Sequence, residues 1–489
     1  MAPRARLSPP REAQRAWPWH HAKSTSISAS LFASGERRME AENYLAGGYG
    51  IRLAFERQTS GWAPLSKLAR TWQPSRLKGI QVAASYGTPF LAATQVFDLR
   101  PVPRKWLAIE RTDNAGDRFV QKGTIMVTCS GSVGRGTLAH QAHEGVLISH
   151  DLLRVTPLES DWWGWVYAFL RSPQCRAMMN ASRYGHIIKH LEVSHLDALP
   201  IPLLREELRV RFQESANAVL QSRCRAYELT SEAERLYADC FKDKATQTAS
   251  SMWFATKASA MLGGRRRLDA ACHVPRVRDI LATFNRSAES VVPLSEVTKR
   301  VFVPGRFKHV YGDGGTPYLD SAEILEVNPD VAKRVLSLTP KEQQDYRVEA
   351  GWLLMPCSGQ VYGNIGHTIL ATEWHTGKVL SNHILRVCPN DEIRSGYLQC
   401  VLGHPLLGRP QLVRFAFGSS VPEIAPGDVS TVIVPRLALR VENELADLVE
   451  EAANARDAAD IAEQELGQQA ETLVDAFLAG ERQQFVKAP

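Results

Sequence analysis

The sequence lacks the features that mark membrane-spanning and disulfide-stabilised secreted proteins. No apolar run approaches the ~20 residues that a helix needs to cross a bilayer. The basic N-terminus has no continuous apolar stretch, so we expect no secretory signal. The eight cysteines include no Cys-x-x-Cys pair. In a chain of this length they predict reduced thiols and a cytoplasmic protein without membrane contact.

Catalytic motifs are also scarce. The chain has no Gly-x-x-x-x-Gly-Lys-Ser/Thr loop for a nucleoside triphosphate. It has no Asn/Asp-Pro-Pro-Tyr/Phe stretch of the kind with which amino-methyltransferases hold a target amine. His186 and His190 have the spacing of a helical metal pair, but no third ligand stands nearby at a recognisable spacing. We therefore expect no metal site, no catalytic residue and no cofactor on this chain.

The sequence does contain a long internal repeat. The stretch VQKGTIMVTCSGSVG, which starts at Val120, returns 228 positions later as VEAGWLLMPCSGQVYG from Val348. LISHDLLRVTP (147–157) matches VLSNHILRVCP (379–389) at an offset of 232, and Pro202 matches Pro435 at 233. Because the offset changes so little, the copies differ only by small insertions, which belong in surface loops. A unit of about 230 residues is therefore duplicated in tandem.

Each copy predicts a mixed α/β fold. Short apolar runs between glycine and Ser-Gly predict strands, and apolar segments that end before a proline predict short helices. The predicted strands are Gly123–Ser130, Val146–Val155, Gly351–Ser358 and Val379–Val387, and the predicted short helices are Trp163–Leu170 and Ser395–Leu402.

A long helix is predicted after each copy. In the second, small or apolar residues recur with alternating steps of three and four, which is a heptad seam. Its members are Leu445, Leu448, Ala452, Ala455, Ala459, Ala462, Leu466, Leu473 and Ala476. The first helix, between Leu204 and about Phe241, carries a similar seam. The simplest partner for each seam is the other helix, packed antiparallel as a coiled coil. Packing of each seam on its own globular domain is the alternative.

These elements divide the chain into six segments. Residues 1–38 carry seven arginines and lysines against two glutamates, a net charge of +5 of the chain's +6, and predict a disordered basic extension. The other five are a first globular domain (39–203), a central helix and linker (204–264), a second globular domain (265–436), a distal helix (437–480) and a tail (481–489). Since the repeated body is nearly neutral, any site for a polyanion must be a local basic surface.

This layout resembles the specificity (S) subunit of Type I restriction–modification systems. Target-recognition domains of that family have a strand that leads into Ser-Gly-x-Val-Gly, here Ser130-Gly131-Ser132-Val133-Gly134. They close with Gly…Ile-Lys-x-Leu and Pro-Ile-Pro, here Gly185, Ile188-Lys189-His190-Leu191 and Pro200-Ile201-Pro202. The second copy departs from the pattern, with Tyr362 between Ser358-Gly359-Gln360-Val361 and Gly363, and with a close of Gly418…Val421-Pro422-Glu423-Ile424.

The resemblance implies two target-recognition domains, each of which reads one half of a bipartite site in double-stranded DNA. The two helices would set the gap and dock two DNA methyltransferase subunits, with restriction or translocase subunits as further candidate partners. S-adenosylmethionine would then be bound by the partner, and this chain would perform no chemistry in phage defence.

The candidate DNA-binding residues are polar side chains near these motifs. Base edges in the major groove are read by Arg, Lys, Asn, Gln and Ser, and the protein is positioned by phosphate contacts. The candidates in the first copy are Arg76, Lys78, Ser130, Ser132, Arg135, Arg183 and Lys189. Those in the second copy are Arg306, Lys308, Ser358, Gln360, Asn364 and Arg414.

Two other functions fit parts of the sequence. The chain could be a non-catalytic coiled-coil scaffold of a defence complex, which specific duplex binding would distinguish from a specificity subunit. It could also be an enzyme with two cysteine sites, at Cys129-Ser130 and Cys357-Ser358. A nucleophilic cysteine needs a positioned base, and no histidine was found at a matching place in both copies; His150 and His383 come near, at an offset of 233.

Overall fold

Both halves of the chain contain the same succession of short strands and helices. The computed structural model describes residue 44 and residues 47–76, 79–111, 114–182, 190–241, 253–262, 266–336 and 338–486. The predictions for residues 1–38 lie outside these ranges. The predicted domain boundaries stay predictions.

The first half contains ten strands and five helices within the described residues. The strands are β1 (Trp62–Pro64), β2 (Ala69–Trp72), β3 (Gln81–Val82), β4 (Thr88–Leu91), β5 (Lys105–Leu107), β6 (Ile125–Thr128), β7 (Gly136–Leu138), β8 (Leu147–Ile148), β9 (Leu152–Pro157) and β10 (Pro200–Pro202). The helices are α1 (Gly47–Glu56), α2 (Trp163–Arg171), α3 (Pro173–Ser182), α4 (Val193–Asp197) and α5 (Glu206–Asp239).

The second half contains nine strands and seven helices within the described residues. The strands are β11 (Ser290–Pro293), β12 (Thr298–Phe302), β13 (Tyr311–Leu319), β14 (Arg334–Val335), β15 (Leu353–Pro356), β16 (Ile369–Leu370), β17 (Val379–Leu380), β18 (Ile384–Pro389) and β19 (Ile433–Arg436). The helices are α6 (Ala258–Met261), α7 (Pro275–Ser287), α8 (Pro340–Tyr346), α9 (Ser395–Gly403), α10 (Arg409–Val413), α11 (Pro426–Val429) and α12 (Leu439–Leu478).

The sheet topology repeats with the sequence. A four-stranded antiparallel sheet has the order β2-β9-β6-β7 in the first half and β12-β18-β15-β16 in the second. Each half also has one parallel pair, β4 with β8 and β13 with β17. The predicted mixed α/β class is confirmed, and both predicted Gly-to-Ser strands contain a fully buried central strand, β6 or β15. The predicted strands that begin at Val146 and Val379 each form two strands with a turn between them.

The two long helices, α5 with 34 residues and α12 with 40, run antiparallel and pack against each other. Arg225 of α5 lies 2.7 Å from Glu451 of α12, while Leu204, just before α5, pairs with Phe485, just after α12. The predicted seam is buried at every seventh residue, namely Leu445, Ala452, Ala459, Leu466 and Leu473. The same helices also enter the cores of the two halves, and their assignment as a coiled coil stays a prediction.

Each core is completed by one end of both helices. The larger core of the first half includes Phe212 and Val219 of α5 together with Leu473 and Phe477 of α12. The core of the second half includes the other ends, for example Tyr237 of α5. Within the described ranges, no helix is long and apolar enough to span a membrane.

Two glycines at equivalent positions let a short helix of each half approach a long helix closely. A Cβ atom on Gly164 in α2 would lie 2.4 Å from the backbone of Phe212, and one on Gly396 in α9 would lie 2.5 Å from the carbonyl oxygen of Ala446. These contacts involve backbone atoms, which cannot move aside as a flexible side chain can. The close approach is therefore a shared requirement of both copies.

Replacement of Gly396 by alanine should lower the free energy of unfolding by about 2 kcal/mol, because the added methyl group overpacks the contact with α12. Gly467→Ala is the matched control, since a Cβ atom there meets no atom within 4 Å. That variant should gain about 1 kcal/mol from helix propensity. Urea unfolding of both variants measures the difference. A Gly396→Ala protein as stable as Gly467→Ala would contradict the packing described here.

The two halves also touch directly, through equivalent segments. The backbone N–H of Leu99 donates to the carbonyl oxygen of Leu325 and that of Val327 donates to the carbonyl oxygen of Phe97, both at 2.7 Å. Leu99 and Val327 stand 228 residues apart and therefore occupy the same place in each repeat. Val327 packs into an apolar cluster of the first half, and Leu99 packs against one of the second. The halves thus exchange equivalent apolar side chains.

A buried charged cluster lies where the two long helices cross the boundary between the halves. Arg223 of α5 is 6% exposed and forms ion pairs with Asp460 and Glu463 of α12, with 2.7 Å to Glu463. Glu463 also pairs with Arg171 of α2 at 3.2 Å. The backbone N–H of Asn328 donates to the Asp460 carboxylate at 2.8 Å, which connects the cluster to the second half. A heptad pattern of apolar residues does not predict this cluster.

Candidate nucleic-acid interface

The first Ser-Gly stretch forms a tight loop directly after β6. Gly134 has a φ of +81°, a conformation that favours glycine, and its N–H donates to the carbonyl oxygen of Thr128 at 2.9 Å. The Thr128 hydroxyl accepts the N–H of Arg135 at 3.0 Å. Val133 is buried, whereas Ser132 is exposed. The loop therefore has a fixed backbone and presents a serine to solvent.

In both copies the segment that closes the family motif pairs with this loop. The N–H of Leu191 donates to the carbonyl oxygen of Cys129 at 2.8 Å, and the equivalent N–H of Ile424 donates to Cys357 at 2.7 Å. The N–H of Gly359 also donates to the carbonyl oxygen of Pro422 at 3.0 Å. Motif parts about 60 residues apart in sequence are thus brought together twice, as expected if they build one surface.

The two motif serines have different partners. Ser130 Oγ donates to Asp151 Oδ1 at 2.9 Å, and Ser358 Oγ lies 2.8 Å from His383 Nδ1. The backbone N–H of Cys129 donates to the carbonyl oxygen of Asp151, and that of Cys357 donates to the carbonyl oxygen of His383. The residue equivalent to His383 is therefore Asp151, in agreement with the local offset of 232, and the two motif serines do not share a histidine partner.

The alignment of the second loop is also corrected. The sequence places Val361 opposite Val133, but Val133 is 3% exposed whereas Val361 is 41% exposed. Ile365 is the buried equivalent of Val133, and Gly366, with a φ of +75°, repeats the hydrogen bond of Gly134 by donating to the carbonyl oxygen of Pro356. The second copy therefore carries four additional residues in this loop.

The other candidate residues occupy different environments. Arg76, Arg306, Lys308 and Gln360 are exposed, and Asn364 is half-buried. Gln360 donates to the carbonyl oxygen of Ser420 at 3.3 Å. Lys78, Arg183 and Lys189, like Gly185, His186 and Ile188 of the motifs, lie outside the described residues. The structure thus places some candidates at the loops and leaves the assignment to DNA a prediction.

Two candidate arginines make contacts within the chain. Arg135 reaches the other repeat, where it donates to Glu326 at 2.6 Å and to the carbonyl oxygen of Val327 at 3.1 Å, and its guanidinium lies over the ring of Phe97. Arg414 lies over the ring of Phe415, and burial lowers its pKa. A DNA contact by Arg135 would require these bonds between the repeats to break.

Among known proteins, the chain is similar to a group of solved structures. No protein-family model matches the chain, and no curated protein sequence matches it. It is similar to the Type I restriction–modification S subunit from M. genitalium, with 16% identity, 86% of this chain and 96% of that chain covered, and a TM-score of 0.30. It is also similar to the HsdS subunit from Thermoanaerobacter tengcongensis, with 14% identity, coverage of 87% and 98%, and a TM-score of 0.27.

A third similar chain comes from a structure on complex assembly and conformational transition of the type I R-M system, with 15% identity, coverage of 86% and 97%, and a TM-score of 0.27. The first two of these similar structures are Type I specificity subunits. Each match extends over most of both chains.

The paired cysteines are buried. Burial, with a smaller contribution from Asp151, raises the pKa of Cys129 to about 11, and burial with a smaller contribution from Glu423 raises that of Cys357 to about 11. The thiolate is the nucleophilic form of cysteine, so these environments oppose the alternative of a cysteine enzyme. Among the described residues, no group of three or more His, Cys, Asp or Glu could hold a metal ion.

We expect Cys129 and Cys357 to resist alkylation in the folded protein at pH 8, because both thiols are protonated and buried. Cys129→Ser and Cys357→Ser should each lower the free energy of unfolding by about 1–3 kcal/mol, the cost of a poorly paired buried hydroxyl. DNA selection should be unchanged in both variants. Rapid labelling of either cysteine by iodoacetamide in native protein, followed by loss of function, would restore the enzyme hypothesis.

Equivalent histidines were missed in the sequence. His143 and His375 stand 232 residues apart, the local offset of the repeat. Nδ1 of His143 accepts the N–H of His140 at 3.1 Å, and Nδ1 of His375 accepts the N–H of Thr372 at 3.2 Å. Burial lowers the pKa of His143 to about 4 and holds that of His375 well below its ordinary value. These neutral rings cap short helical turns.

Proposed function

We propose that this chain is a DNA-binding specificity subunit that reads a bipartite site and docks methyltransferase subunits. The observation that carries the proposal is the twofold occurrence of one folded unit, each with a Ser-Gly loop joined to its closing segment. Two such units on one chain suit two separate blocks of base pairs. The order of the motifs resembles that of Type I specificity subunits, and this resemblance indicates that the ligand is double-stranded DNA.

The two long helices support a fixed distance between the two repeats that are proposed to read DNA. A helix of 40 residues is about 60 Å long. That length corresponds to roughly 1.7 turns of DNA at ~35 Å per turn. Because each half packs on both helices, neither can move along the pair independently. A constant gap between the two half-sites is the expected consequence.

Differences between the two loops support different half-site sequences. The tip of the first loop carries Ser132, and the second carries Gln360 and Asn364 in a longer loop. Serine contacts several bases, whereas glutamine and asparagine can bind adenine with two hydrogen bonds. We propose that these residues, with the exposed Arg76, Lys308 and Arg306, form the DNA-contacting set.

We assign methyl transfer to partner subunits and not to this chain. We propose that two methyltransferase subunits bind the complex and hold S-adenosylmethionine, that restriction or translocase subunits join a restriction complex, and that the assembly works in the cytoplasm. The purified chain should then transfer no methyl group to DNA by itself. Methyl transfer by the isolated chain would contradict this assignment.

Selection of bound duplexes from a random pool tests the proposal. The full-length chain, alone and with co-purified partners, should enrich two short blocks of fixed sequence separated by a gap of constant length. Capture of methyltransferase subunits without any enriched sequence would favour the coiled-coil scaffold instead. A single contiguous block would contradict the assignment of one half-site to each repeat.

A further inference from the structure

The loop of residues 360–364 is the main difference between the two Ser-Gly loops. In the first copy one residue, Ser132, stands between Gly131 and the buried Val133. In the second copy five residues stand between Gly359 and the buried Ile365. Since both loops start and end at equivalent hydrogen bonds, the additional four residues must project from the common frame.

One arginine fixes the backbone of this projecting loop. Nη2 of Arg409 lies 2.9 Å from the carbonyl oxygen of Val361, 3.1 Å from that of Gly363 and 3.2 Å from that of Ile365. The N–H of Gly363 donates to the carbonyl oxygen of Gln360 at 2.8 Å, which closes a turn. The shared contacts of Arg409 Nη2 and the bond within the turn give the insertion one preferred shape. Side chains on it are therefore presented in defined positions.

The loop presents apolar groups to solvent. The side chain of Tyr362 is 71% exposed and Val361 is 41% exposed. The two neighbouring side chains form an exposed apolar patch on a hydrogen-bonded loop, and such patches are candidates for binding surfaces. The aromatic ring offers both a flat apolar face and a hydroxyl group.

The position of Tyr362 favours DNA as its partner. It lines a small cleft between the two halves together with Val102 and Arg104 of the first half and Asn364 of its own loop. Arg104 is exposed and supplies a cation for a phosphate group. Residues of both halves line this cleft, so a duplex held by both halves can contact it between the two half-sites. The loop also continues directly from the Ser-Gly motif.

We infer that Tyr362 contacts a base pair at the spacer-facing end of the half-site that the second repeat reads, with Arg104 near the adjacent phosphate. The inference rests on the proposed function and adds a specificity determinant that the first repeat lacks. An aromatic ring there can contact a thymine methyl group or stack on an exposed base. The two half-sites should therefore be unequal in their innermost positions.

The test compares Tyr362→Ala with the wild-type chain in selection from a random duplex pool and in direct binding to the selected site. Tyr362→Ala should bind about tenfold more weakly, the order expected for loss of one base contact. Sequence preference should disappear only at the innermost positions of one half-site. Leu406→Ala is the matched control, because Leu406 is 59% exposed in the same repeat and does not line this cleft.

The possible results separate the explanations. Thermal unfolding should be the same for both variants and the wild type, which excludes misfolding as a cause. With folding intact, a uniform loss of sequence preference at every position of the site in Tyr362→Ala would overturn the inference. Unchanged DNA selection with lost capture of methyltransferase would assign the loop to a protein partner and overturn it too. If the wild type enriches a bipartite site and Tyr362→Ala enriches the same site equally, only this inference fails. A wild type that enriches no sequence overturns the proposed function as well.

Discussion

Lengthening both long helices by seven residues should lengthen the recognised gap by about three base pairs and leave both half-site sequences unchanged. The insertions belong within 224–230 of α5 and 447–453 of α12, which lie beside each other in the antiparallel pair. Seven residues are two turns, so the seam stays in register while the pair grows by about 10 Å. At 3.4 Å per base pair that length corresponds to about three base pairs.

The single insertion in α5 is the control. With only one helix lengthened, the seams no longer match and the direct contact of Leu99 with Leu325 cannot form. Binding of any bipartite duplex should then be lost or strongly weakened. In the double variant that direct contact is lost too, so some affinity should be lost although the longer gap is preferred. Selection from a random pool measures both effects, and an unchanged gap at full affinity would refute the role of the helices as spacer.

The second large effect concerns the buried charged cluster. Arg223→Met should lower the free energy of unfolding by about 3–5 kcal/mol, because it leaves the buried Asp460 carboxylate without its cation, while Glu463 keeps only Arg171. Asp460 and Glu463 are 5% and 1% exposed, so water cannot replace the lost partner. The midpoint of urea unfolding, at constant slope, measures the change.

Two variants show whether charge is the cause. Arg225→Met removes an arginine two residues away, whose pair with Glu451 is about half-exposed on both sides, and should cost less than about 1 kcal/mol. Arg223→Met combined with Asp460→Asn removes one charge of each sign and keeps the acceptor for the N–H of Asn328. The double variant should recover much of the lost stability. Equal costs for Arg223→Met and Arg225→Met would show that the cluster is not effectively buried.

Features that depend on local patterns could be predicted from the sequence. The distal helix was expected over 437–480 and is Leu439–Leu478, because heptad periodicity and the preceding proline are visible along one segment. The short helices that begin at Trp163 and Ser395 were predicted to within one residue. Duplication helped, since each weak pattern occurs twice and the copies support one another.

Features that depend on contacts between distant segments were missed or misread. Arg135 looked like a surface residue beside a motif, but its partner Glu326 lies in the other repeat. Charged residues on a helix usually face water, so nothing marked Arg223 and Glu463 as buried. Val361 aligns with Val133 in the sequence but does not occupy the same place, because four additional residues shift the buried position to Ile365. A repeated polar residue was an available signal: Arg154 and Arg386 are both buried, and both donate to backbone carbonyl groups.

The exchange of Leu99 and Val327 between the halves has a consequence for avidity. The halves are joined by this contact and by both helices. In the proposed complex with DNA, binding of one repeat to its half-site would therefore hold the other repeat at a high effective concentration over the second half-site, provided that the gap is correct. Flexible tethering would tolerate many gap lengths with a modest gain at each. A rigid connection concentrates the gain in affinity on one gap length. Each half could then bind its own block of base pairs weakly, and isolated half-sites in a genome would remain largely unoccupied.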